Sequence, residues 1–111
     1  MMIEVVVRNF LARKLSVSVF MEEPEEIPKR YIILEKVGGG KSNGLKTATL
    51  AIQSYGSSLE EAAMLNEEVK EALEDIDNQD PVSSAKLNSD YNFTDTETHR
   101  YRYQAVYDFI Y

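Results

Sequence analysis

The sequence predicts an α+β domain over residues 1–111: an antiparallel or mixed sheet of four to five strands from two hairpins, packed on one side by a long central helix and an N-terminal helix. Three observations predict it. Over residues 57–76, Leu59, Ala62, Leu65, Val69, Ala72, Leu73 and Ile76 recur at steps of mostly three or four, with glutamates, Lys70 and Asp75 between them. Upstream, 30–37 and 45–55 are two strand-like runs flanking a glycine-bearing stretch. Downstream, 85–93 and 99–111 alternate apolar and polar side chains with period two.

In chain order, Ile3, Val6, Val7, Phe10 and Leu11 fall at helical steps, which predicts a helix over 3–15 despite the strand propensity of its valine run. Its apolar stripe is expected to pack on the sheet, with part of a subunit interface as the alternative. Leu15, Val17, Val19 and Met21 then alternate with Ser16, Ser18 and Phe20, the pattern of a short edge strand. Residues 22–28 hold four glutamates and two prolines, which describes a stiffened, solvated loop. No His, Asp or liganding turn accompanies those carboxylates, so a divalent-metal site is not expected there.

The strand over 30–37 places Tyr31, Ile33 and Val37 opposite Ile32 and Leu34. Gly38, Gly39, Gly40, Lys41, Ser42, Asn43 and Gly44 follow. They resemble the end of a phosphate-binding loop, but that motif needs glycine at position 35, where this chain has Glu35, and a helix where a strand pattern follows. Nucleotide binding is therefore rejected. The expectation is a flexible hairpin tip over 38–44, because glycine adopts the positive φ that turns require. The partner strand over 45–55 puts Ala48, Leu50 and Ile52 on one face and Thr47, Thr49, Ala51 and Gln53 on the other, and Gly56 turns the chain into the central helix.

Ser58 followed by Glu61 forms a capping box at the start of that helix. Burying Leu59, Leu65, Val69, Leu73 and Ile76 would contribute about 1.5–3 kcal/mol each as an upper bound. Asp77, Asn78, Gln79, Asp80 and Pro81 end it. In the next strand Ala85, Leu87, Tyr91 and Phe93 are expected on one face, with Lys86, Asn88, Asp90 and Asn92 on the other. A polar connection over 94–98 leads to the last strand. There His99, Tyr101, Tyr103, Ala105, Tyr107, Phe109 and Tyr111 face the helices, while Arg100, Arg102, Gln104, Val106, Asp108 and Ile110 face away. The aromatic row is read as core. A stacking platform for single-stranded nucleic acid is disfavoured, because the arginines face the other side and the chain is acidic. His99, the only histidine, is read as a hairpin-end residue.

Composition narrows the function classes. Cysteine is absent, which removes disulfides and thiolate chemistry. A net charge of -7 argues against stable nucleic-acid binding, which depends on basic side chains releasing phosphate counterions. No run of about 18 apolar residues marks a membrane span. No catalytic signature is present, so neither enzyme chemistry nor a cofactor or metal is expected, and the carboxylates lie mostly on a solvated helix face.

Two stretches carry a family resemblance: ATLAIQSYGSSLEEAAMLNEEVKEAL over 48–73 and the closing THRYRYQAVYDFIY. Together they resemble the tail-completion, or tail-terminator, proteins of long-tailed bacteriophages and prophages, which join head to tail. The resemblance implies a structural subunit that assembles with itself into a ring, typically a hexamer, on the tail. It would contact the tail-tube protein and the head-connector protein, in the host cytoplasm before assembly and in the neck of the virion afterwards. DNA would pass through such a ring without stable binding, and excess carboxylates suit that passage as well as they suit ordinary solubility. Gly38, Gly39, Gly40, Lys41, Ser42, Asn43 and Gly44 form the candidate protein interface, either as a tip that orders against tube or neighbour or as a tip with no partner. Val5 on the first helix and Arg100 and Arg102 on the last strand complete the candidate set. The alternative is a small bacterial protein-binding module or regulator with no phage role.

Overall fold

The computed structural model describes residues 2–111. Helix α1 spans Ile3–Lys14 and leads to the short strand β1 (Ser18–Phe20). Strands β2 (Tyr31–Ser42) and β3 (Leu45–Gly56) form the first hairpin. Helix α2 (Leu59–Leu73) follows, then a 3-10 turn at Ile76–Asn78, and strands β4 (Ser84–Asn92) and β5 (Tyr101–Ile110) form the second hairpin. The result is an α+β fold: one five-stranded mixed sheet in the order β1-β2-β3-β5-β4, packed by two helices.

The mixed character comes from β1, which runs parallel to β2. Its connection over 21–30 carries Pro24 and Pro28, which cannot donate to a ladder, so pairing is confined to Ser18–Phe20 against Tyr31–Ile33. Leu15 and Val17, expected in that strand, instead pack half-buried against the core. Strand β5 inserts between β3 and β4, so α2 crosses from β3 to β4 past one intervening strand. That central position explains why the last strand carries the largest apolar side chains, with Phe109 and Tyr107 both buried.

Ile3, Val7, Phe10 and Leu11 of α1 and Leu65, Val69 and Leu73 of α2 pack on the same sheet face, against Ile32, Leu34, Ala48, Leu50, Ile52, Ala105, Tyr107 and Phe109. Ser58 Oγ accepts the Glu61 backbone N–H at 3.1 Å, so the cap predicted for α2 is made. Leu59 departs from expectation. It sits one residue past the cap and stays 40% exposed, and the buried stripe begins only at Ala62.

Two further expectations are corrected. The stretch 38–44 is not a flexible loop: β2 continues through Gly38, Gly39, Gly40, Lys41 and Ser42, paired to Leu45. Only Asn43 (φ 51°) and Gly44 (φ 80°) form the turn. Two successive left-handed residues are what a two-residue turn between right-twisted strands demands, and Asn-Gly is the dipeptide that supplies them. The β4 alternation also changes phase. A bulge between Leu87 and Ser89 leaves Leu87 opposite Tyr107 but brings Asp90 opposite Ala105 and Tyr91 opposite Gln104. Ala85 and Leu87 therefore face the helices, while Tyr91 lies on the opposite face and forms an edge-to-face pair with Phe93.

Candidate functional site

The candidate residues fall in three places. Arg100 and Arg102 meet at one end of the sheet, on the face away from the helices. There Tyr31 and Tyr55 are cross-strand partners and are both buried although no helix covers them. Their cover is local. Arg100 forms a bidentate pair with Glu23, with Nη2 2.6 Å from Oε1 and Nη1 3.3 Å from Oε2, and Nη2 also donates to the Tyr31 hydroxyl. Its guanidinium lies 5.0 Å from the Tyr55 ring centroid. Arg102 donates to the Phe93 carbonyl at 2.6 Å and to the Tyr55 hydroxyl at 3.0 Å, and stacks 4.4 Å over the Phe93 ring.

From Tyr55 the hydrogen bonds continue across the sheet. The Tyr55 hydroxyl donates to Gln53 Oε1 at 3.2 Å, Gln53 Nε2 donates to Gln104 Oε1 at 2.9 Å, and Gln104 Nε2 donates to the Tyr91 hydroxyl. Both glutamines are buried, and each satisfies the other. The Glu23 carboxylate holds the Arg100 pKa above its ordinary value, against the opposing effect of burial. Burial raises the Tyr31 hydroxyl, with Arg100 pulling the other way. Glu23 is thus not part of a merely solvated loop. It ties the 21–30 connection to the start of β5. Beside this network lies a cleft of about 210 Å³ lined in part by Lys29, Ser57, His99 and Arg100. Among the described residues no three His, Asp or Glu side chains gather into a metal-binding group.

The second place is the far end of β2 and its turn. Gly38, Gly39, Gly40, Lys41, Asn43 and Gly44 are all exposed; the Ser42 side chain lies outside what the structure describes. Tyr31 and Ser42 stand at opposite ends of β2, so the hairpin end and the arginine network do not form one site. Val5 is the third place: half-buried on α1, on neither of the other two surfaces.

A fourth feature escaped the sequence reading. Past the bulge, Asp90 turns toward α2, where Oδ1 accepts from Asn66 Nδ2 at 2.6 Å and Oδ2 pairs with Lys70. Asn66 is 2% exposed, and its Oδ1 has no partner among the described residues. The Asp90 hydrogen bond raises the Lys70 pKa. Alongside runs an open groove of about 540 Å³ between α2 and β4, with Leu73, Leu87 and Tyr107 as floor and Glu67, Glu71 and Glu74 along the rim. The bulge that creates this arrangement has no signature in the alternation of 85–93.

Comparison with known proteins gives no match to any family model and none to any curated protein.

Proposed function

We propose that the chain is a structural subunit of a phage or prophage tail that caps the tail tube, joins it to the head and works as a ring. The observation that carries this reading is the sheet itself: both helices pack on one face, and two edges run exposed along distal β2 and along β4. Such a layer offers two different surfaces for head-to-tail contact between copies, which is what a ring requires. The strand-helix unit and closing strand that resemble tail-completion proteins supply its centre, β3, α2 and β5.

In this role the chain does no chemistry. Its partners are further copies of itself, the tail-tube protein and the head-connector protein, and its place is the neck of the virion. The charge of -7 suits a lumen through which DNA slides without being held.

Deleting the gene from its phage or prophage and examining the particles by electron microscopy tests the proposal. Tails of uncontrolled length and unattached heads are expected. Normal, joined particles would overturn it. A purified chain that stays a monomer or dimer and ignores the tail-tube protein would point to a regulator.

A further inference from the structure

The two exposed edges fit each other. Of the twelve residues of β2, β1 pairs with three, so 34–42 runs free along that edge among the described residues. At equal height, 34–40 of that run lies level with 84–90 of β4 at the other edge, while Tyr91 and Asn92 lie level with Ile33 and Ile32, which β1 already pairs. Between the two edges the strands β2, β3, β5 and β4 alternate strictly in direction. An even number of alternating strands has a consequence: a second copy set beside β4 without being turned over presents its β2 antiparallel to β4, with its helices on the same side.

The levels also match. Reading across the ladders, Gly40, Thr47, Ile110 and Ser84 share one level, Gly39, Ala48, Phe109 and Ala85 the next, and Lys36, Leu50, Tyr107 and Leu87 a third. A neighbouring copy at the same height therefore sets its glycine run beside Ser84, Ala85 and Lys86, where the absence of side chains lets two backbones approach.

Charge completes the fit. Lys36 pairs with Leu50 and Lys41 with Lys46, so both lysines lie on the helix side of the edge. The groove over Leu87 is net acidic on that same side: Lys70 pairs with Glu67 and Asp90, and Glu71 and Glu74 add further carboxylates. Leu87 (46% exposed) and Val37 (56% exposed) sit at the two edges as exposed apolar groups.

We infer that copies of this chain join head to tail, the 34–40 edge of one pairing antiparallel with 84–90 of the next while Lys36 and Lys41 meet the acidic rim of the neighbour's groove. The inference rests on the ring reading and gives it an interface. Each copy uses a different edge on either side, so the contact propagates, and it closes when the rotation per copy allows.

The cysteine-free sequence makes the test direct. A G40C/S84C double variant, oxidised at high concentration, is expected to give a ladder of covalent multimers, whereas G40C or S84C alone gives none and their mixture gives only dimers. In a second arm, K36E/K41E and E71K/E74K are each expected to self-associate at least about tenfold more weakly than the wild type, with association restored on mixing. Multimers in solution without cross-links would overturn the edge pairing and leave the ring standing. Dimers from S84C alone would overturn it in favour of a symmetric contact that sets Ser84 beside Ser84 of a second copy. Monomers throughout, with and without tail-tube protein, would overturn both. A ladder from a chain that ignores the tail-tube protein would uphold the edge pairing and overturn the tail reading.

Discussion

Tyr31 and Tyr55 stack with ring centroids 4.5 Å apart and planes 4° from parallel, on the sheet face that neither helix covers. A large aromatic surface on a solvent-facing sheet is costly unless something excludes water. Here Arg100 and Arg102 do so with their guanidinium planes, Phe20 packs from the side, and Glu23 fixes Arg100 in place. This is a second, smaller core. Tyr55→Ala, at a site 4% exposed, is expected to cost about 3–4 kcal/mol. Tyr55→Phe, which leaves the stack but removes the hydroxyl shared by Arg102 and Gln53, is expected to cost only about 1 kcal/mol. Chemical denaturation of the two variants checks the ranking.

The Asp90 cluster separates a buried polar group from a surface ion pair. Asp90→Ala strips the Asn66 side chain of its one hydrogen-bond partner among the described residues and is expected to cost about 1–3 kcal/mol. Lys70→Met removes the partly exposed ion pairs with Asp90 and Glu67 but leaves Asn66 bonded to Asp90, and is expected to cost less than about 1 kcal/mol. The raised Lys70 pKa means that the pair contributes fully at neutral pH and fails only as pH climbs past the ordinary lysine value, about 10. Equal losses from the two substitutions would contradict the assignment.

Glycine substitutions distinguish close approach from backbone freedom. A Cβ on Gly56 would lie 2.6 Å from the Ala62 backbone nitrogen, where α2 passes over the end of β3, so Gly56→Ala is expected to cost about 1–3 kcal/mol. Gly44→Ala meets open space but a φ of +80°, and is expected to cost about 1 kcal/mol. Gly40→Ala has room and ordinary φ, so its stability is expected to stay within about 0.5 kcal/mol of the wild type. Thermal unfolding of the three variants reads out the order.

Asp108 sets part of the acid limit of the fold. Its carboxylate accepts from Thr49 Oγ1 at 2.7 Å and from Asn88 Nδ2 at 2.9 Å, and these bonds hold its pKa below the ordinary aspartate value. A depressed folded pKa stabilises the protein above the unfolded value and loses that contribution as pH falls through the folded one. Thermal stability is therefore expected to decline below about pH 4, and less steeply in Asp108→Asn. Identical acid profiles would remove Asp108 from this role.

Much of the fold was legible because its signals are local. The spacing of Ala62, Leu65, Val69 and Leu73, the Ser58 cap and the parity of β5 each needed only a few neighbouring residues. Errors arose where tertiary context decided. Gly38, Gly39 and Gly40 suggested a loop, yet cross-strand pairing with Thr49, Ala48 and Thr47 holds them extended, and the Asn43-Gly44 dipeptide was the stronger turn signal. The β4 bulge inverted the faces of Asp90, Tyr91 and Asn92 because one extra residue flips every later side chain. The parity of Arg100 and Arg102 was correct, but their partners Glu23, Tyr31 and Tyr55 come from distant parts of the chain. Their joint use as cover for the second core could not be seen in 99–111 alone.

The measurement that bears most directly on the account is sedimentation velocity of the purified chain, alone and with the tail-tube protein of the same genome. A closed oligomer, forming either alone or only when the tube protein is present, is the predicted result. A species that remains a monomer across all concentrations, and sediments independently of the tube protein, would contradict the account.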